Sequence, residues 1–275
     1  NHSANAGIPT ASPGPVPLAS WEDPRVNNSA TNLNPRYTFD SFVVSPASQL
    51  AHAASLAASD RPGSAYNPLF IHAGVGLGKT HLLQAIAHRV QAQGKDARYV
   101  SSEEFTNDFI SAIRERKTVE FRNKLRSVDV LLIDDIQFLS GKEQTQEGFF
   151  HTFNALHNAS RQVIIAGDRP PSALPLLEER LRSRFEGGLI TDIQAPDFET
   201  RIAILRNRIQ QAPVPVPDVV LELIASSGGS NIRTLEGNLN RVTALAHFTG
   251  HPVTMAMAQS ILGSSAEQPL PTPKL

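Results

Sequence analysis

The 275-residue sequence contains no cysteine, a single tryptophan and only three tyrosines. Without cysteine there is no disulfide framework and no Cys-based zinc site, and the composition fits a reducing compartment. The histidines stand singly, without metal-ligand spacing. Trp21 and the tyrosines are too scattered to form a base-stacking platform. No apolar run approaches the roughly 20 residues of a membrane-spanning helix. Asn1 to Pro17 lacks the basic-then-apolar order of a secretory signal, so a cytoplasmic protein is expected. Neither sign of charge is in excess: the net charge is −1 with 19% charged residues, which excludes a charged tail and gives no overall sign of nucleic-acid binding. A hydrophobic content of 40% is that of an ordinary globular protein, long enough for one large or two smaller domains.

Proline, by contrast, is plentiful and concentrated at the ends. Residues 1–33 carry Pro9, Pro13, Pro15, Pro17 and Pro24 among Ser, Ala and Asn, too little apolar surface to offset the entropy of ordering. They read as a linker. Residues 263–275, with Pro269, Pro271 and Pro273, read as a second linker leading towards a DNA-binding domain outside this chain. Between these ends, five short apolar runs alternate with helical periodicity: Leu69 to Ala73, Arg98 to Val100, Val128 to Ile133, Val163 to Ala166 and Leu189 to Ile193. Strand and helix in alternation predict an α/β fold with a parallel, doubly wound, five-stranded sheet over 34–195. Ser101 and Glu104 form a capping-box pair opening one of the intervening helices. After Pro196 the strand signals stop, and helical segments over 196–262 predict a small helical subdomain.

Directly after the first strand comes Gly74-Val75-Gly76-Leu77-Gly78-Lys79-Thr80, followed by a helix, the context of a phosphate-binding P-loop. Glycines let backbone N–H groups crowd around phosphate oxygens, and the helix N-terminus adds positive potential. Lys79 is expected to reach the β and γ phosphates of ATP or ADP, and the Thr80 hydroxyl to ligate Mg²⁺. The slot for the motif's first glycine is held by Ala73, tolerable if that residue keeps φ below zero. His81 belongs to the nucleotide-binding stretch by position and is expected to pack in the first helical turn.

The run Val128 to Ile133 ends in Asp134-Asp135, so a buried strand delivers two carboxylates to the sheet edge where α/β folds bind ligands. Asp134 is expected to hold Mg²⁺, directly or through water, and Asp135 to orient the attacking water. A further strand ends in Gly167-Asp168-Arg169, whose tip either senses the γ-phosphate or simply turns before Pro170-Pro171. Arg184, in the run Glu178 to Phe185, belongs to a basic cluster that the sequence by itself does not distinguish from a solvated helix face.

Taken with Asn34-Pro35-Arg36-Tyr37-Thr38-Phe39-Asp40-Ser41-Phe42-Val43, Phe149-Phe150-His151-Thr152-Phe153-Asn154 and Leu235-Glu236-Gly237, these segments resemble the AAA+ ATPase domain of the bacterial DnaA family of chromosomal replication initiators. The resemblance covers about residues 33–262. It implies an AAA+ P-loop fold whose helical part is a lid. It also implies that Asp168 is sensor 1, Arg184 an arginine finger reaching a neighbouring subunit's ATP, Arg180 a second interface arginine, and Arg233 the sensor 2 residue projecting from the lid onto nucleotide. A finger supplied in trans stabilises γ-phosphate charge only when subunits stack, so slow, assembly-coupled hydrolysis and a helical homo-oligomer in the ATP state are implied.

The family also carries an extra helical element that lines a path for single-stranded DNA. In this chain that region holds Arg114, Arg116, Lys117, Arg122, Lys124 and Arg126, either a strand-binding path or a solvated basic face. The matching DNA-contact positions are Ile110, Lys142 and Thr145, while Gln144 stands where some members have arginine. Regulators and the replicative helicase are implied as partners through domains outside this chain. The alternatives are a related AAA+ regulator or helicase loader, or a P-loop kinase or GTPase; no Asn-Lys-x-Asp guanine signature occurs.

Overall fold

The computed structural model describes residues 33–263 apart from 211, 213, 228 and 230. The two Pro-rich ends lie outside the described residues, except Leu33 and Gly263 at their margins.

After an opening segment over 33–48 the chain forms α1 (Gln49–Asp60), then β1 (Leu69–Ala73), α2 (Lys79–Ala92), β2 (Ala97–Ser101), α3 (Ser102–Arg114), α4 (Thr118–Arg126) and β3 (Val130–Asp134). It continues through α5 (Glu143–Asn158), β4 (Gln162–Gly167), α6 (Glu179–Glu186) and β5 (Leu189–Ile193). The five strands are parallel, in the order β2-β3-β4-β1-β5. β1 and β3, which carry the two nucleotide motifs, are therefore not neighbours; β4 runs between them. Strands β1, β3 and β4 are buried almost throughout, which is why they read as continuous apolar runs rather than alternating ones.

Both faces of the sheet are covered. On one, Leu82, Leu83, Ile86 and Val90 of α2 and the small residues Ala51, Ala54 and Ala58 of α1 meet Leu69, Ile71, Leu132 and Ile164. On the other, Phe105, Phe109, Phe149, Phe153 and Phe185 form an aromatic cluster with centroids 5.4 to 6.2 Å apart in the pairs Phe105–Phe149, Phe105–Phe109 and Phe149–Phe185. Ser101 caps α3 by accepting the Glu104 N–H at 3.1 Å, so the opening predicted for that helix is where the sequence places it.

After β5, Asp197 caps α7 (Phe198–Ile209), followed by α8 (Asp218–Ser227), α9 (Ile232–Thr249) and α10 (Met255–Gly263). They enclose a separate apolar core around Leu205, Leu221, Ile224, Leu235 and Val242. The α/β sheet with a helical C-terminal part is the predicted architecture. Helix α1 was not anticipated. Its buried face is built from Ala and Ser, residues that give a helix little apolar contrast along the sequence.

Candidate nucleotide site

The loop joining β1 to α2 runs through Gly76 and Gly78 at φ +74° and +101°, conformations that only glycine adopts without strain. Ala73 ends β1 in strand geometry with φ below zero, so its methyl group fits where the motif usually has glycine. Lys79 opens α2 with its side chain buried, and its ammonium donates to the carbonyl oxygens of Ala73 at 2.8 Å and Gly74 at 3.1 Å. Burial lowers its pKa, while Asp135, Asp134 and Asp168 raise it and Arg233 lowers it further. Five charged groups from four separate parts of the chain thus converge on one point.

Thr80 donates its hydroxyl to Asp134 Oδ2 at 2.7 Å. Tyr99 donates to the same oxygen at 3.0 Å, and the Asp135 N–H donates to Oδ1 at 2.9 Å. Burial pushes the Asp134 pKa above its ordinary value, and the hydrogen bonds from Thr80 and Tyr99 oppose that rise. Asp135 has φ +53°, an unusual conformation for a non-glycine residue. It turns the chain out of β3, so that Asp135 lines the adjoining cavity while Asp134 lies behind it. Asp168, just past β4, lines the same cavity and takes a forked ion pair from Arg169 at 2.8 and 3.1 Å.

That cavity has a volume of about 340 Å³. Its floor is the P-loop through His81, and one wall is the opening segment from Arg36 to Val43. The other wall is helical, with Ile204 and Arg208 of α7 and Arg233 and Glu236 of α9. His81 is a packing residue: its ring stacks on Tyr37 at 4.9 Å and its Nε2 lies 2.8 Å from the Thr38 carbonyl, fixing the opening segment over the loop. Arg208 and Glu236 pair at 2.7 Å, tying α7 to α9.

The site suits a magnesium nucleotide. Thr80 and Asp134 offer hard oxygen atoms 2.7 Å apart, and Mg²⁺ characteristically takes one or two protein oxygens together with phosphate and water. Among the described residues there is no group of three or more His, Cys, Asp or Glu able to hold a metal without such help.

The remaining expected residues lie elsewhere. Arg184 is exposed on α6, outside the cavity lining. Arg180, on the same helix, pairs with Glu178 and lies over the Phe150 ring at 4.7 Å. Ile110 on α3 is 38% exposed, and Lys142 is exposed at the start of α5. Thr145 is 3% exposed, in the first turn of α5. Arg114, Arg116, Lys117, Lys124 and Arg126 are exposed, and Lys117 pairs with Glu115 at 2.9 Å. The contributions of Tyr99 and the Arg208–Glu236 pair were not read from the sequence. The one signal was Gln84, a polar residue inside the apolar face of α2.

Residues 33–192 match the family model of the bacterial DnaA ATPase domain. The chain belongs to that family. It is 59% identical over 232 residues to the chromosomal replication initiator protein DnaA of Chloroflexus aurantiacus, covering 84% of this chain and 48% of that protein. The chain thus spans about half the length of the curated relatives it matches. Its fold superposes on the crystal structure of domain III of the Thermotoga maritima replication initiation protein DnaA with a TM-score of 0.83 and 42% identity, over 86% of this chain and all of the other. A replication initiator DnaA solved with AMPPCP and single-stranded DNA is 38% identical, with a TM-score of 0.72, over 80% of this chain and 67% of that one. Family and fold therefore make this an AAA+ ATPase domain of the replication-initiator type. Among the described residues no helix is long and apolar enough to cross a membrane.

Proposed function

We propose that this chain is the nucleotide-switched motor of a cytoplasmic chromosomal replication initiator, with residues 34–195 as the ATP-binding base and 196–262 as its lid. Lys79 contacts the β and γ phosphates, and the P-loop amides from Gly74 to Thr80 cradle them. Thr80 and Asp134 hold Mg²⁺, which neutralises charge on the phosphates. Asp135, at the cavity edge, orients the attacking water, Asp168 senses the γ-phosphate, and Arg233 reaches down from the lid. The observation that carries the reading is the split among the arginines. Arg233 lines the cavity, whereas Arg184 and Arg180 sit outside it on exposed α6.

An arginine needed for hydrolysis but absent from its own pocket acts on a neighbour's, so hydrolysis is slow in a lone subunit and rises on stacking. Head-to-tail stacking that does not close gives a helical filament. Ile110, Lys142, Thr145 and the basic residues of α3 and α4 are the surface for single-stranded DNA. The solved relative holding AMPPCP and single-stranded DNA supports the pairing of these two ligands. Contacts with the helicase and with regulators belong to parts of the protein beyond this chain.

Light scattering after gel filtration tests the reading, with ATP·Mg²⁺ or ADP·Mg²⁺ and with or without labelled oligo-dT. Large complexes that form only with ATP and carry the strand are expected. A nucleotide-insensitive monomer that ignores the strand would overturn the proposal in favour of a loader or regulator.

A further inference from the structure

Helix α2 buries Leu82, Leu83, Ala85, Ile86 and Ala87, and in their midst Gln84, only 6% exposed. An amide in such a place needs partners. Its Oε1 accepts the backbone N–H of Asn34 at 2.8 Å, and its side chain also interacts with the Tyr99 hydroxyl. Tyr99 stands on β2 beside Leu132, two residues before Ser101, which pairs in register with Asp134. From there its hydroxyl donates to Asp134 Oδ2 at 3.0 Å, the oxygen that also receives Thr80.

These two donors differ in what they are free to do. The Thr80 hydroxyl sits on the P-loop helix and, on the reading above, turns its oxygen towards Mg²⁺. Tyr99 comes from a strand behind the carboxylate and has no such second task. We propose that Tyr99, backed by Gln84, is a positioning residue for the metal site, fixing the orientation in which Asp134 presents its carboxylate to Mg²⁺. The Asn34–Gln84–Tyr99–Asp134 chain also ties the opening segment to the metal-binding carboxylate. The inference rests on Asp134 being a metal ligand, and its test separates the two claims.

The full chain is loaded with ADP, and Mn²⁺, standing in for Mg²⁺, is titrated while free Mn²⁺ is followed by electron paramagnetic resonance. Nucleotide affinity is measured in parallel in EDTA. Tyr99→Phe keeps the ring and removes only the hydroxyl. It is expected to weaken Mn²⁺ binding about tenfold, the usual effect of removing a group that orients a ligand, with nucleotide affinity in EDTA unchanged. Unchanged Mn²⁺ affinity, or an equal loss in EDTA, overturns the proposal. Should Tyr99→Phe fail to hold nucleotide at all, Gln84→Met decides: Mn²⁺-specific weakening supports the proposal and its absence overturns it. Asp134→Asn is the reference. If it too leaves Mn²⁺ binding intact, the reading of Asp134 fails; if it alone abolishes binding, only the role of Tyr99 fails.

Discussion

Asn231, the N-cap of α9, sits directly on Gly76 of the P-loop. The Ile232 N–H donates to the Gly76 carbonyl at 3.1 Å, and a Cβ on Gly76 would lie 2.0 Å from Asn231 Oδ1. Gly76 also has φ +74°. Gly76→Ala is therefore expected to displace the first turn of α9 and to relax the loop, which must then be strained again to receive phosphate. Left-handed backbone costs a non-glycine residue roughly 1–2 kcal/mol, so ATP binding should weaken by about tenfold or more. A fluorescent-ATP titration checks this, and undiminished affinity would show that the contact is incidental.

Lys79 and Arg184 should separate binding from assembly. Lys79→Ala removes a buried cation facing the cavity, and ATP binding should fall by about two orders of magnitude, the scale of a lost charge-assisted phosphate contact. Arg184→Ala, outside the cavity, should leave ATP affinity unchanged and abolish ATP-dependent assembly. Calorimetry and light scattering on the same samples read both effects. Intact assembly in the Arg184 variant would sink its assignment as a finger acting in trans.

Gly148 offers a test of packing. It lies in the interior of α5, where alanine would ordinarily gain about 1 kcal/mol in helix propensity. A Cβ there would meet three ring atoms of Phe109 at 2.4 to 2.9 Å, and that ring is buried against Phe105 and Phe121. Overpacking costs about 1–3 kcal/mol, so Gly148→Ala should be net destabilising by about 1 kcal/mol. Urea unfolding reads the shift in midpoint. A higher midpoint would mean that α3 yields at Phe109, and with it the neighbouring Ile110.

His52 gives a pH dependence of defined sign. Its ring packs edge-on to Phe39 at 5.4 Å and stacks on Phe42 at 5.7 Å, and burial lowers its pKa below the ordinary 6.5. The unfolded chain therefore binds the proton more readily than the folded one. The stabilisation is fully present above pH 6.5 and is lost as pH falls through the folded-state value. The thermal midpoint should drop between about pH 7 and about pH 5, and His52→Gln should drop less. Equal slopes would exclude His52 as a contributor.

The legible parts of this protein were those where chemistry or burial restricts the choice of residue. The P-loop needs glycine at two left-handed positions, and strands covered on both faces must be apolar throughout, so β1, β3 and β4 could be placed closely. The second carboxylate, Asp135, was legible as a residue, but its left-handed backbone was not, because no local pattern encodes φ +53° at aspartate. The inward orientation of Thr145 is a matter of helix rotation that the residues of a short segment do not specify. The α9 hydrogen bond to Gly76 and the Tyr99–Asp134 bond join residues 156 and 35 positions apart in the chain and leave no periodic trace.

The strand order also has a consequence for synthesis. A ribosome releases the P-loop and, some 50 residues later, the Asp134 strand, but β1 and β3 share no edge. Within the sheet they are joined through β4, which ends at Gly167 and pairs with both. A nascent chain ending after Asp135 carries both nucleotide motifs in writing and has no sheet to hold them side by side. The strand that joins the two nucleotide motifs in the sheet thus contributes no P-loop or Asp134-Asp135 residue of its own.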